Sequence, residues 1–272
     1  MIDEEQERHY NARAAVPEYG EFFARWGLRS AGFRETASCR LGVSYGDSDR
    51  QELDLFMPEG GNGAPPLVVF VHGGYWQGLD RSLFSFTAEA LVAAGAAVAV
   101  VGYDLCPAVR LDDIAAQIRR ALALLWTRAG EFAIDRDRLY ISGHSAGGHL
   151  TAMMMADSAA GDVKIRGGIS ISGLFDLAPL INTTMNENLG LNAASARANS
   201  PLFMPPRGNA PLLLAVGGDE SAGFHDQSDR LADAWGDRCR RLDIPGCNHF
   251  SVVEGMADAD SDLFGAIKAM VF

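Results

Sequence analysis

Gly143-His144-Ser145-Ala146-Gly147 sets a hydroxyl between two glycines, after the apolar run Leu139-Tyr140-Ile141 and before an Ala/Met-rich segment, His149 to Ala156, that reads as helix. A G-x-S-x-G sequence between a strand and a helix is an elbow that presents its serine on a sharp turn. Glycines flank it because the turn leaves no room for side chains. A serine so placed suits attack on a carbonyl carbon. That chemistry needs a base to take the hydroxyl proton, an acid to orient the base and N–H donors for the oxyanion. The chain supplies each in the order serine, acid, histidine. Asp219 follows the apolar run Leu212 to Val216 behind Gly217-Gly218, where a strand end would present a carboxylate. His249 follows Cys239 to Ile244 through Pro245-Gly246-Cys247-Asn248. Asp219 is the expected acid; it could also cap the next helix, and Glu220 and Asp226 are its rivals.

His72-Gly73-Gly74-Tyr75-Trp76 follows the uniformly apolar run Leu67-Val68-Val69-Phe70-Val71. A glycine-rich loop at this place can turn backbone amides toward a developing oxyanion, with a further amide from the residue after the nucleophile. The N–H groups of Gly74, Tyr75 and Ala146 are therefore the expected hole. His144 and His149 are poorer bases than His249. One lies inside the elbow and the other turns into its helix, so both are expected to support the elbow by packing or hydrogen bonding. Tyr75, Trp76, Tyr103 and Phe175 are candidates for an aromatic substrate pocket, with plain core packing as the alternative.

These residues need a scaffold of strands ending at one edge. From Leu67 onward strand and helix patterns alternate. Leu67–Val71 reads as a strand covered on both faces. Arg81 to Ala94 reads as a helix, Ala96 to Val101 as a strand, and Leu111 to Arg128 as a helix with Ile114, Ile118, Leu122 and Leu125 at core spacing. After the elbow come the runs 168–171 and 211–216, a helix 224–235, a strand 239–244 and a last helix 250–270. Before them, Arg40 to Tyr45 and Gln51 to Met57 flank Gly46-Asp47-Ser48-Asp49 and read as a β-hairpin, with a Gly/Pro loop over 59–66. Residues 1–33 carry Tyr10, Val16, Tyr19, Phe22, Phe23 and Trp26 among charges, as in amphipathic helices. The fold class is α/β: a mostly parallel, doubly wound sheet of about eight strands with an amino-terminal hairpin. One domain over 1–272 is expected, and the irregular stretch 174–206 is long enough to form a small cap over the site.

With 272 residues, 48% of them hydrophobic and 21% charged, the chain can bury a sizeable core. A net charge of −12 argues against nucleic acid or an anionic membrane surface as partner. Cys39, Cys106, Cys239 and Cys247 show no metal-ligand spacing and read as thiols rather than a disulfide framework. The acidic start, Met1-Ile2-Asp3-Glu4-Glu5-Gln6-Glu7, lacks secretory features, and no uncharged apolar run is long enough to span a bilayer, so a cytoplasmic location is expected.

Taken together, His72-Gly73-Gly74-Tyr75-Trp76 and Gly143-His144-Ser145-Ala146-Gly147-Gly148-His149-Leu150 resemble the hormone-sensitive-lipase-related branch of α/β-hydrolases. The Tyr-Trp ending of the first loop, Gly217-Gly218-Asp219-Glu220-Ser221 and Asn248-His249-Phe250 are similar to motifs of the kynurenine formamidase group. Tyr103-Asp104-Leu105-Cys106-Pro107 departs from the Tyr-Arg-Leu-Ala-Pro pattern of related esterases. The resemblance covers roughly residues 40–271. It implies a serine hydrolase of small amide or ester substrates, using Ser145, Asp219 and His249 with no cofactor and no metal, and with His72, Gly73, Trp76, Gly143, His144 and Gly147 as motif support. N-formylkynurenine-like amides are the expected substrates. A carboxylesterase or thioesterase on small acyl groups, and a catalytically silent receptor on the same scaffold, are the alternatives. Homodimerisation stays open.

Overall fold

The computed structural model describes residues 1–60, 63–156 and 163–272. Part of the 59–66 loop, residues 61 and 62, lies outside the described residues. Among the described residues eight strands form one sheet: β1 Cys39–Ser44, β2 Glu52–Phe56, β3 Pro66–Val71, β4 Ala97–Val101, β5 Asp135–His144, β6 Ile165–Ile171, β7 Leu212–Gly217 and β8 Cys239–Ile244, in the spatial order β1-β2-β4-β3-β5-β6-β7-β8. The β1–β2 and β2–β4 pairs are antiparallel, and all others are parallel. Period-two alternation divides the strands between two cores. Leu67, Val69 and Val71 of β3 point to one face, and Val68 and Phe70 to the other. Because both faces are covered, every residue of β3, β4 and β7 is buried, and these strands read as continuous apolar runs.

Helices α5 (Leu111–Thr127), α6 (Ala146–Ala156) and α9 (Ala222–Trp235) pack on the first face, while α3 (Tyr19–Thr36), the 81–93 helical segment and α10 (Asp262–Val271) pack on the second. Two expected helices differ. Residues Arg81–Ala88 wind as a 3₁₀ helix before the α-helix α4, Glu89–Ala93. The last helix is split into a 3₁₀ segment Val252–Ala257 and α10, because the Asp258 carboxylate accepts from the Asp260 N–H and the Ser261 hydroxyl caps Phe264. Residues 174–206 are not irregular but a string of short helical turns, including α7 (Asn186–Leu189) and α8 (Ala193–Ala198). The amino-terminal segment is also helical, as α1 (Glu4–Tyr10), α2 (Ala12–Ala15) and α3, and it runs on to Thr36. Among the described residues no helix is long and apolar enough to cross a membrane.

The topology fixes where a site can form. From β3 the chain crosses to β4 on one side; from β5 it crosses to β6 on the other. The order therefore reverses between β3 and β5, and ligands in open α/β sheets bind outside the carboxyl ends of strands at that reversal. Register brings Val71 opposite Gly143, His144 opposite Ile171 and Gly217 opposite Ile244. The loops after β3, β5, β7 and β8 thus open at one edge of the sheet.

Candidate active site

At the end of β5 the backbone of Ser145 takes φ +56, a left-handed conformation that a non-glycine residue holds only where its surroundings impose it. The constraints are close. The Ser145 N–H donates to the Ile171 carbonyl at 2.8 Å, and the Ser145 carbonyl accepts from His149 N–H at 3.0 Å to start α6. A methyl group at Gly143 would lie 2.2 Å from the Gly147 carbonyl oxygen, and one at Gly147 1.9 Å from that of Val71. Both flanking glycines are required by close backbone approach rather than by dihedral freedom.

His249 is presented by a turn of four residues. Asn248 Oδ1 accepts the N–H groups of Phe250 and Ser251, each at 2.9 Å, and the Ser251 hydroxyl oxygen accepts the Asn248 N–H at 2.8 Å. Its ring rests on Phe224, with centroids 4.5 Å apart. Ser145 and His249 line the same small cavity.

The carboxylate beside His249 belongs to Glu220, not Asp219. Glu220 Oε2 lies 2.6 Å from His249 Nδ1, a contact in which the ring N–H donates. Its other oxygen accepts from the Gly217 N–H at 2.8 Å and from the Ser172 hydroxyl. The Glu220 side chain is 0% exposed. Asp219 sits at an exposed position, where its backbone N–H donates to the Cys247 carbonyl at 3.0 Å. One residue of register decides this. The turn after Gly217 carries Asp219 outward, and the longer Glu220 side chain folds back under β7. Asp226 pairs with Arg230 on α9 at 3.5 Å.

Gly74, Tyr75 and Trp76 have φ of +115, +55 and +58, so the loop after β3 is wound left-handed and rolls its amides over. The Gly74 carbonyl accepts from Gln77 and Gly78, and the Trp76 carbonyl from Cys106. Among the described residues no protein acceptor meets the N–H groups of Gly74, Tyr75 or Ala146. The last of these opens α6, whose amino-terminal dipole favours negative charge.

Three further histidines, His144, His149 and His72, brace the site in neutral form. His144 donates its Nε2–H to the His249 carbonyl at 2.7 Å; burial first, and then the nearby His249 charge, holds it well below the usual histidine range. His149 donates to the Asn199 carbonyl at 2.7 Å, and burial lowers it to about 4. His72 is sandwiched between Tyr103, 4.2 Å away, and Phe84, 5.8 Å away, its Nδ1 directed at the Gly73 carbonyl, and burial again lowers it to about 4. A methyl at Gly73 would come within 2.9 Å of the His144 carbonyl oxygen.

Of the four aromatic pocket candidates only Tyr75 lines the cavity. Trp76 is fully buried and edges onto His149 at 5.0 Å. Tyr103 is fully buried, and its hydroxyl donates to the His72 carbonyl. Phe175 is 1% exposed, with its N–H donating to Gln227. All three are core. The aromatic walls come instead from Phe23 and Trp26 of α3 and from Phe250, with Leu79 and Arg13 completing the lining. Trp26 is fixed by an Nε1–H bond to Glu254 at 2.9 Å and by stacking on Phe86. The 3.6-residue spacing of Phe22, Phe23 and Trp26 showed a buried helix face, but not which surface it would meet. The 174–206 segment contacts the loop after β3 from the other side: Gln77 Nε2 donates to the Met185 carbonyl at 2.7 Å, and Asn188 donates to Gln77.

The scaffold matches known proteins. The BD-FAE family model matches residues 53–233. The chain belongs to the BD-FAE family. A kynurenine formamidase of Salmo salar is 33% identical over 88% of this chain and 84% of that protein, and the Drosophila melanogaster enzyme of the same name is 31% identical over 81% and 78%, so this BD-FAE member also stands in the kynurenine formamidase family. A crystal structure of a candidate thioesterase from Silicibacter sp. TM1040 superposes with a TM-score of 0.86 at 38% identity, covering 96% of this chain and 97% of that one. This BD-FAE chain is an α/β-hydrolase of the hormone-sensitive-lipase-related branch, and an amide or ester hydrolase of the serine type.

Proposed function

We propose that the protein is an arylformamidase-type hydrolase that removes a formyl group from an aryl amine through a formyl-serine intermediate. The observation that carries the reading is the narrowness of the cavity at Ser145: the space open to a water-sized group is about 20 Å³, walled by Phe23, Trp26, Tyr75 and Phe250. A space of ~10–15 Å³ holds one water-sized group. A formyl group suits such a pocket, whereas longer acyl chains overfill it. The formamidase names of the relatives support the same substrate class.

In this mechanism Ser145 Oγ attacks the formyl carbon while His249 takes the hydroxyl proton. Glu220 fixes the tautomer and stabilises the imidazolium. The oxyanion is held by the N–H groups of Gly74, Tyr75 and Ala146. The C–N bond then breaks, His249 returns the proton to the leaving arylamine, and a water deprotonated by His249 cleaves the formyl ester to formate. The leaving group occupies the adjoining groove of about 400 Å³, which shares Arg13, Gly74 and Tyr75 with the cavity and is bordered by residues 184–188 as a cap.

The test is an acyl series on one aryl leaving group. Since each misfit carbon in a tight pocket costs about 1–3 kcal/mol, kcat/KM should fall ~10-fold or more per added carbon from formyl to butyryl. N-formylkynurenine should be turned over. Butyryl esters hydrolysed as well as formyl ones, with N-formylkynurenine untouched, would overturn the reading. Thioesters belong in the same panel, because the Silicibacter neighbour is a candidate thioesterase at 38% identity.

A further inference from the structure

We infer that Arg13 is a specificity-determining residue that recognises an anionic group, a carboxylate in the first instance, on the leaving side of the substrate; the inference rests on the hydrolase reading of Ser145 and not on the formyl group. Helix α2 is too short to hold Arg13 in place by itself. It is anchored by Asn11, whose side chain accepts the Ala14 N–H at 3.1 Å, and by the Tyr75 hydroxyl, which accepts the Ala12 N–H at 2.8 Å. Tyr75 belongs to the oxyanion loop, so Arg13 is tied directly to the site. Its guanidinium lies 5.5, 5.9 and 5.6 Å from the ring centroids of Tyr19, Phe23 and Tyr75. Rings hold a cation's position without neutralising it.

Three observations separate this arginine from an ordinary structural clamp. It lines both the cavity at Ser145 and the groove beside it. Among the described residues neither space is lined by any Asp, Glu, Lys or other Arg, and the Glu7 carboxylate behind the groove is taken up by Asn11 and Thr184. Its Nε is buried with no hydrogen-bond partner, a cost that a bound acceptor would remove. In a chain of net charge −12, a groove whose lining carries a guanidinium and no carboxylate is set apart from the rest of the surface. A carboxylate matches the planar guanidinium fork.

The experiment compares matched substrates differing by one carboxylate: phenyl acetate with 3-carboxyphenyl acetate, and formanilide with N-formylanthranilate. The wild type should prefer the carboxylated member of each pair. In Arg13→Gln the ratio of kcat/KM values, carboxylated over neutral, should fall about 10- to 100-fold, the range of a hydrogen bond to a charged group. Arg13→Lys should restore part of that ratio. A merely structural arginine would lower both members together, and an unchanged ratio overturns the assignment. Should Arg13→Gln fail to fold, inhibition of the wild type decides: benzoate should compete at least 10-fold better than neutral benzamide and lose that advantage in high salt. Equal inhibition by the two would refute the proposal. The ester pair separates the outcomes, since carboxylate preference on esters with no formamide turnover would retain Arg13 and reject the formamidase.

Discussion

Replacing Glu220 by Gln isolates the acid from everything else at the site, because the two side chains are nearly isosteric. The structure determines how the amide must sit. The position of Glu220 Oε1 is surrounded by two donors, the Gly217 N–H at 2.8 Å and the Ser172 hydroxyl. The Gln carbonyl oxygen must take that place, since its NH₂ group there would oppose the Gly217 N–H. The NH₂ then faces His249 Nδ1 at the 2.6 Å contact and demands an acceptor. The imidazole proton moves to Nε2, and the ring can no longer take the proton of Ser145. A triad histidine locked in the wrong tautomer loses on the order of 10⁴ in kcat, which at 1.36 kcal/mol per tenfold is about 5 kcal/mol of transition-state stabilisation. Asp219→Asn touches none of these contacts and should stay within about twofold of wild type. Both variants are assayed for kcat on one activated formyl or acetyl ester, with circular dichroism to verify folding. A large loss in Asp219→Asn beside near-normal Glu220→Gln would refute the reasoning.

Further outcomes follow from the same geometry. Ser145→Ala should fold and lose on the order of 10⁴-fold or more in hydrolysis, with fluorophosphonate labelling abolished; ordinary turnover would remove Ser145 as nucleophile. Trp76→Ala should act on stability, costing about 3–5 kcal/mol in denaturant unfolding because a fully buried ring is deleted, with little change in acyl preference among the folded molecules. Burial lowers His72 and His149 to about 4 and holds His144 well below its ordinary 6.5, so the unfolded chain binds protons that the folded protein refuses. Their contribution to stability is complete above pH 6.5 and lost as pH falls toward 4, at about 2 kcal/mol each for His72 and His149 by pH 5. Unfolding at pH 5.5, where most carboxylates are ionised in both states, should take up between about two and three protons; calorimetry or pH-stat unfolding with no uptake would contradict the burial of neutral imidazoles.

Much of this architecture is legible in the chain. Strands β3, β4 and β7 are covered on both faces and advertise themselves as apolar runs, and the two glycines around Ser145 announce a turn that admits no Cβ. Gly217-Gly218-Asp219-Glu220 shows less. Two adjacent carboxylates point in opposite directions, and the choice between them is made by Ser172 and His249, 48 and 29 residues away. The aromatic residues divide in the same way, and for three of the four candidates the core-packing alternative holds. Trp76, Tyr103 and Phe175 follow strand ends in sequence but turn into the core, whereas Phe23 and Trp26 lie more than a hundred residues from Ser145 and wall its cavity. Local pattern tells which residues are buried; long-range docking tells against what.

That docking has a consequence for how the enzyme comes into being. The Trp26 indole N–H finds its acceptor in Glu254, 228 residues further along, and Trp26 shares the wall at Ser145 with Phe250. On the ribosome the elbow and the oxyanion loop emerge long before residues 250–254, while α3, synthesised early, has no Glu254 to receive its indole N–H. The small cavity at Ser145 can therefore close only once residues 250–254 have been made. Nascent chains stay without a finished cavity until the early and late segments meet, and a proteolytic cut that releases α3 would remove two of its walls, Phe23 and Trp26.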